Sequence, residues 1–123
     1  LAGVAGRYGL FAATYGLAGV HLSQAHTQVV VIGEGAVAES LYRAAVKPFS
    51  VSKTALKLTQ AQAVPQNLPP ALAETIPQLP AMNEEKAAAV VCSGFSCQPP
   101  IFDPQELETM LLRNIAHGET SKN

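Results

Sequence analysis

The chain has 123 residues, a length that suits one domain and can bury a core without disulfide support. Its eight basic and nine acidic side chains are scattered and leave a formal net charge of −1, which argues against the concentrated positive field of a nucleic-acid or anionic-membrane surface. Two cysteines are too few for a secreted disulfide scaffold.

The first residue is leucine, and the chain reads as a piece of something longer. Residues 1–22 are rich in Ala, Gly, Leu and aromatics, but Arg7 interrupts the run and His21 ends it. A spanning helix needs roughly 20 apolar residues in a row. A signal peptide needs a basic start, a Leu-rich middle and a small-residue cleavage site. Neither pattern fits well, so the segment reads as a buried or interface helix over Val4–Leu22, with membrane insertion the minor alternative. Tyr8, Phe11, Tyr15 and Leu22 recur close to the 3.6-residue period. Gly3, Gly6, Gly9, Gly16 and Gly19 each cost about 1 kcal/mol of helix propensity relative to alanine. Such glycines persist where another backbone packs close, so this helix expects a partner. A helix apolar around most of its circumference is covered by association, and a two-fold homodimer through residues 1–22 is the simplest form.

Gln28-Val29-Val30-Val31-Ile32 is an unbroken β-branched run, the pattern of a strand buried on both faces in a parallel sheet. Gly33-Glu34-Gly35 turns the chain into a helix over Ala36–Val46, stopped by Pro48. A second strand follows at Thr54–Thr59. Residues 60–81 read as loop, with Pro65, Pro69, Pro70, Pro77 and Pro80, and a short helix near Ala71–Ile76. Ala87–Cys92 is the third strand. The last helix has the clearest start: Asp103 as N-cap, Pro104 at the first helical position and Glu106 at the capping-box position. Leu107, Met110, Leu111 and Ile115 form its apolar stripe. Gly118 marks its stop, and the polar tail to Asn123 should fray. The expected class is α/β: a small three-stranded, mostly parallel sheet with flanking helices, preceded by the apolar helix. The division is residues 1–26 for that helix and 27–123 for the α/β domain.

Three sets of residues carry candidate chemistry. Gly33-Glu34-Gly35-Ala36-Val37-Ala38 matches G-x-G-x-x-A between a strand and a helix, where a dinucleotide pyrophosphate can bind. The fingerprint also wants an acid at the end of the second strand. Thr59 or Gln60 stands there, and Glu34 puts negative charge where phosphate would lie. A tight structural turn at Gly33 and Gly35 is the simpler reading. The second set is Cys92-Ser93-Gly94-Phe95-Ser96-Cys97. Its turn can bring the sulfurs within bonding reach, at the end of a strand where α/β proteins place ligands. A buried structural thiol at Cys92 competes with a redox-linked pair. In a cytoplasmic protein the two thiols are expected close together and reduced. No further cysteine or histidine completes a zinc site. The third set is His21, His26 and His117. The first two are five apart, the wrong spacing for a metal helix, and His117 suits a helix C-terminus. Glu84 and Glu85 read as a solvated turn. No catalytic residue, metal or cofactor is assigned.

The run Ala88-Ala89-Val90-Val91-Cys92-Ser93-Gly94-Phe95-Ser96-Cys97-Gln98-Pro99-Pro100, then Asp103-Pro104 and Leu107, resembles the C-terminal signature of YyaL-type thioredoxin-domain-containing proteins, relatives of the spermatogenesis-associated thioredoxin-like proteins. That signature is an apolar strand, C-x-x-F-x-C, a proline, then D-P and a leucine helix. Cys92, Phe95, Cys97, Pro100, Asp103, Pro104 and Leu107 match it here. The first helix is similar to the last helix of the family's barrel. The resemblance implies a parent protein with a thioredoxin-like domain and a six-hairpin, glycosidase-like α/α barrel upstream of residue 1. The barrel and that domain are then the partners, and both candidate reaction centres lie outside this sequence. Members often look Asp-rich where this chain has Gly33-Glu34-Gly35, which puts a shared role for that turn in doubt.

Overall fold

The computed structural model describes residues 7, 9, 12–68, 70–79, 82, 84, 86–94 and 96–120, without the side chains of 71 and 118–120. Tyr8, Phe11, Glu85 and Phe95, singled out above, lie outside the described residues, as do Val4 and the last three residues of the tail. The elements are α1 (Ala12–Ser23), β1 (Thr27–Ile32), α2 (Gly35–Val46), β2 (Lys53–Leu58), α3 (Pro70–Ala73), β3 (Ala88–Ser93), β4 (Ser96–Cys97) and α4 (Pro104–Thr120). Single 3-10 turns at Pro65–Asn67 and Ile76–Gln78 flank α3.

The α/β class is as expected, but the sheet is not mostly parallel. It has four strands in the order β2-β1-β3-β4. Only β1 and β2 are parallel; β3 runs antiparallel to β1, and β4 antiparallel to β3. The intervening segment explains the reversal. Leu58, at the end of β2, and Ala88, at the start of β3, both pair with Ile32. The chain therefore leaves and re-enters the sheet at the same end. A parallel third strand needs a connection that travels the length of the sheet, usually a helix. The proline-rich stretch after β2 forms only single turns and a four-residue helix.

Alternation along β1 and β3 sends side chains to two separate cores. Val29, Val31, Ala89 and Val91 pack with Leu41 and Ala45 of α2 and Leu107 and Leu111 of α4. Val30, Ile32, Val90 and Cys92 pack with Ala63, Leu68, Leu72 and Ile76 of the segment after β2. A sheet covered on both faces accounts for the unbroken apolar run of β1. Lys53 donates to the carbonyls of Ala45 and Pro48 at the end of α2, where a cation suits the helix C-terminus; desolvation there draws its pKa below the ordinary lysine value. Lys47, the C-cap of α2, pairs with Glu108 of α4 at 2.7 Å.

The two ends of the chain depart from expectation in opposite ways. Asp103 Oδ1 accepts the Gln105 N–H at 2.8 Å, so α4 starts where its cap predicts, but it runs past Gly118 to Thr120. In contrast, α1 has no buried residue. The link after it is tied to Ser52, just before β2, whose hydroxyl donates to Gln24 Oε1 at 3.2 Å, and to β2 itself by a 2.6 Å hydrogen bond between His26 Nε2 and the Thr54 hydroxyl.

Candidate functional site

The cysteines form the first site. Cys92, on β3, and Cys97, on β4, are register partners and are joined as a disulfide, with Cα atoms 4.0 Å apart. Proximity was legible in the spacing; the bond corrects the expectation of two free thiols. The hairpin closes because Gly94 takes φ +60°, a left-handed turn position that glycine occupies without Cβ strain. Cys92 is 4 % exposed and belongs to the second core, with Cys97 partly buried against it.

Beyond Cys97 the chain stays beside β3. Gln98 N–H donates to Val91 C=O at 2.8 Å, and Ile101 and Ala89 exchange both bonds at 2.8 Å. Three steps on the outer strand, Gln98 to Ile101, are set against two on β3, Val91 to Ala89. The extra residue is a bulge at Pro99-Pro100, tolerated on an edge strand because the prolines have no N–H to place in the ladder. Pro100 thus sits in that bulge, while Asp103 and Pro104 cap and open α4.

The glycine turn forms the second site, at the carboxyl ends of the parallel pair. Gly33, Glu34, Gly35, Glu39, Lys57, Thr59 and Gln62 are among the residues lining an open cleft of about 420 Å³. Gly33 takes φ +124°, and a Cβ there would meet Ala87 Cα at 2.7 Å; Gly35 takes φ +80° with open space beside it. Gly33 is therefore fixed by the approach of the chain entering β3, a packing requirement that does not involve a ligand. Lys57 bonds Glu39 at 2.6 Å, and its ammonium lies 5.6 Å from the centroid of the Tyr42 ring. The hydrogen bond and charge of Lys57, with a smaller contribution from Arg43, hold the Glu39 carboxyl below the usual carboxylate range. Two carboxylates, Glu34 and Glu39, and one lysine, Lys57, thus line the cleft. Thr59 and Gln62 close on each other: Thr59 N–H donates to Gln62 Oε1 at 3.0 Å, and Gln62 N–H to Thr59 Oγ1 at 3.2 Å. A phosphate finds helix-end N–H groups here, and the lysine among the described lining residues is already paired with Glu39.

The rings of His21 and His26 are 6.0 Å apart, and His117 is in the last turn of α4. Among the described residues no group of three or more His, Cys, Asp or Glu side chains is placed to hold a metal ion. Glu84 pairs with Lys86 at 3.3 Å in the turn before β3. Sequence reasoning missed Glu39, Lys57 and Gln62. An i,i+4 spacing to Arg43 was the one visible signal for Glu39, and its contact with Lys57 depends on the placement of α2 on β2.

No known protein family, curated protein or solved structure matches the chain. No helix among the described residues is long and apolar enough to cross a membrane.

Proposed function

We propose that the chain is a non-catalytic α/β module that docks through its first helix onto another folded body, as the resemblance to the YyaL-type C-terminal region implies. In that parent the body is the α/α barrel. One observation carries the reading: α1 is strongly apolar yet buries no residue in its own chain. Tyr15 and Leu17 are about half exposed, Leu22 is 90 % exposed, and a Cβ added at Gly16 or Gly19 would meet nothing within 4 Å. The α/β unit is complete without it, with both sheet faces covered. When the barrel is absent, the expected cover is a second copy. Sedimentation of the 123-residue chain should show a dimer at high micromolar concentration, and loss of residues 1–22 should return it to a monomer. A monomer at both lengths would count against α1 as a docking element.

A second reading rests on the Cys92–Cys97 bond: an accessory thiol-disulfide site that exchanges with a dithiol. The reading includes a cytoplasmic setting, which keeps thiols reduced at rest, so the bonded form is then one of two working states. Acid-trapping in cells followed by thiol counting separates the alternatives. A mixture that shifts with oxidant supports exchange; a pair that stays fully bonded is structural.

A further inference from the structure

We infer that the Cys92–Cys97 disulfide can be opened from one side only, by attack at Cys97, with Cys92 as the leaving sulfur; this rests on the thiol-exchange reading.

Exchange at a disulfide is an in-line displacement at sulfur, so the entering thiolate approaches along the line of the bond it breaks. Here that line runs across the strands. Cys92 lies on β3 and Cys97 on β4, the last strand of the sheet. The approach to Cys97 comes from beyond the sheet edge. The approach to Cys92 comes from the opposite direction, over β1, where Gln28 is its register partner, and beneath the layer that includes Leu72 and Ile76. The surroundings agree: Gly94, Ser96 and Gln98 are exposed around Cys97, whereas Cys92 is 4 % exposed.

The backbone adds a docking feature at the same residue. Antiparallel ladders alternate hydrogen-bonded and non-hydrogen-bonded pairs. The Gln98–Val91 bond fixes that rung as hydrogen-bonded, which makes Cys92/Cys97 the non-hydrogen-bonded pair. The N–H and C=O of Cys97 therefore point away from β3, toward the open edge. An extended segment of a dithiol protein can bond to them, as peptides add to sheet edges, and deliver its thiolate to the accessible sulfur.

The chemistry balances with the dithiol as reductant. Its thiolate bonds to Cys97 Sγ; the Cys92–Cys97 bond breaks, and its electron pair leaves on Cys92 Sγ. That sulfur then takes a proton from solvent. The second thiolate of the reductant then attacks the first in the mixed disulfide and displaces Cys97 as a thiolate, which takes a proton from solvent. The reductant becomes a disulfide, and two electrons have reduced the Cys92/Cys97 pair.

The test uses the oxidised 123-residue chain and, as probe, a thioredoxin-type C-x-x-C protein whose second cysteine is serine, so that the mixed disulfide accumulates. After brief reaction under native conditions, N-ethylmaleimide caps the released thiol and fragmentation mass spectrometry locates both groups. The expected product carries the probe on Cys97 and the maleimide on Cys92, in at least tenfold excess over the reverse. A probe found mainly on Cys92, or equally on both, overturns the directionality while leaving thiol exchange standing. Adducts that form only in denaturant overturn both, and make the bond structural.

Discussion

The first and last helices pose the same question and answer it differently. α1 is the more apolar of the two, yet it buries nothing. α4 carries Glu106, Glu108 and Arg113, yet Leu107 and Leu111 are essentially inaccessible and Met110 packs beside them. Apolar content does not decide whether a helix joins its own sheet; segregation onto one face does. In α4 the buried apolar residues repeat at three and four positions along one face, and most of the charged residues lie elsewhere. In α1 they are spread around the circumference and interleaved with glycine, so no orientation on a small sheet would satisfy them all.

The largest test of this contrast is truncation of one leucine in each helix. Leu111→Ala removes a side chain at 1 % exposure and should cost about 2–5 kcal/mol in urea unfolding. Leu22→Ala, at 90 % exposure, should stay within about 0.5 kcal/mol when monomer is measured. Equal losses would mean that α1 is docked within the chain.

Glycine substitutions sharpen the comparison at a smaller scale. Gly33→Ala places a Cβ against the Ala87 backbone at a φ of +124° and should cost about 1–3 kcal/mol. Gly19→Ala meets open space. It should stabilise α1 by about 1 kcal/mol through helix propensity, read as added helical circular dichroism at low concentration, while weakening dimerisation at high concentration. A gain in both would show that the α1 glycines are not at a contact.

The smallest effect concerns Glu39, which links α2 to β2 through Lys57. Its folded-state pKa is lowered, so the pair contributes above the ordinary glutamate value, near 4.3, and that contribution is lost as pH falls through the lowered value. Glu39→Gln should flatten this part of the acid stability profile, most visibly at low salt, because exposed pairs are screened.

Much of the α/β unit was legible because its signals are local. The valine run of β1, the Gly33 turn, and Asp103-Pro104 at the head of α4 each specify one element and its boundary. Strand direction was not legible. Ala88–Ser93 has the same apolar pattern whichever way it runs, and the reversal follows from where the segment after β2 returns. A two-residue strand such as β4 carries no period to detect. At the candidate site, spacing brought Cys92 and Cys97 together, but their state depends on more than spacing. The Glu39–Lys57 pair joins two elements whose relative placement no short motif encodes.

The sheet's two open margins are also defended against growth. A bare edge strand invites another chain to extend the sheet, a route to aggregation that natural proteins block with lysine, proline and bulges. The β2 margin carries Lys53 and Lys57. The opposite margin is a two-residue strand followed directly by the Pro99-Pro100 bulge, which removes two donors in succession. A neighbouring strand meets one rung, at Cys97, and then two residues that offer it no N–H. Copies of this chain are thereby steered away from edge-to-edge stacking.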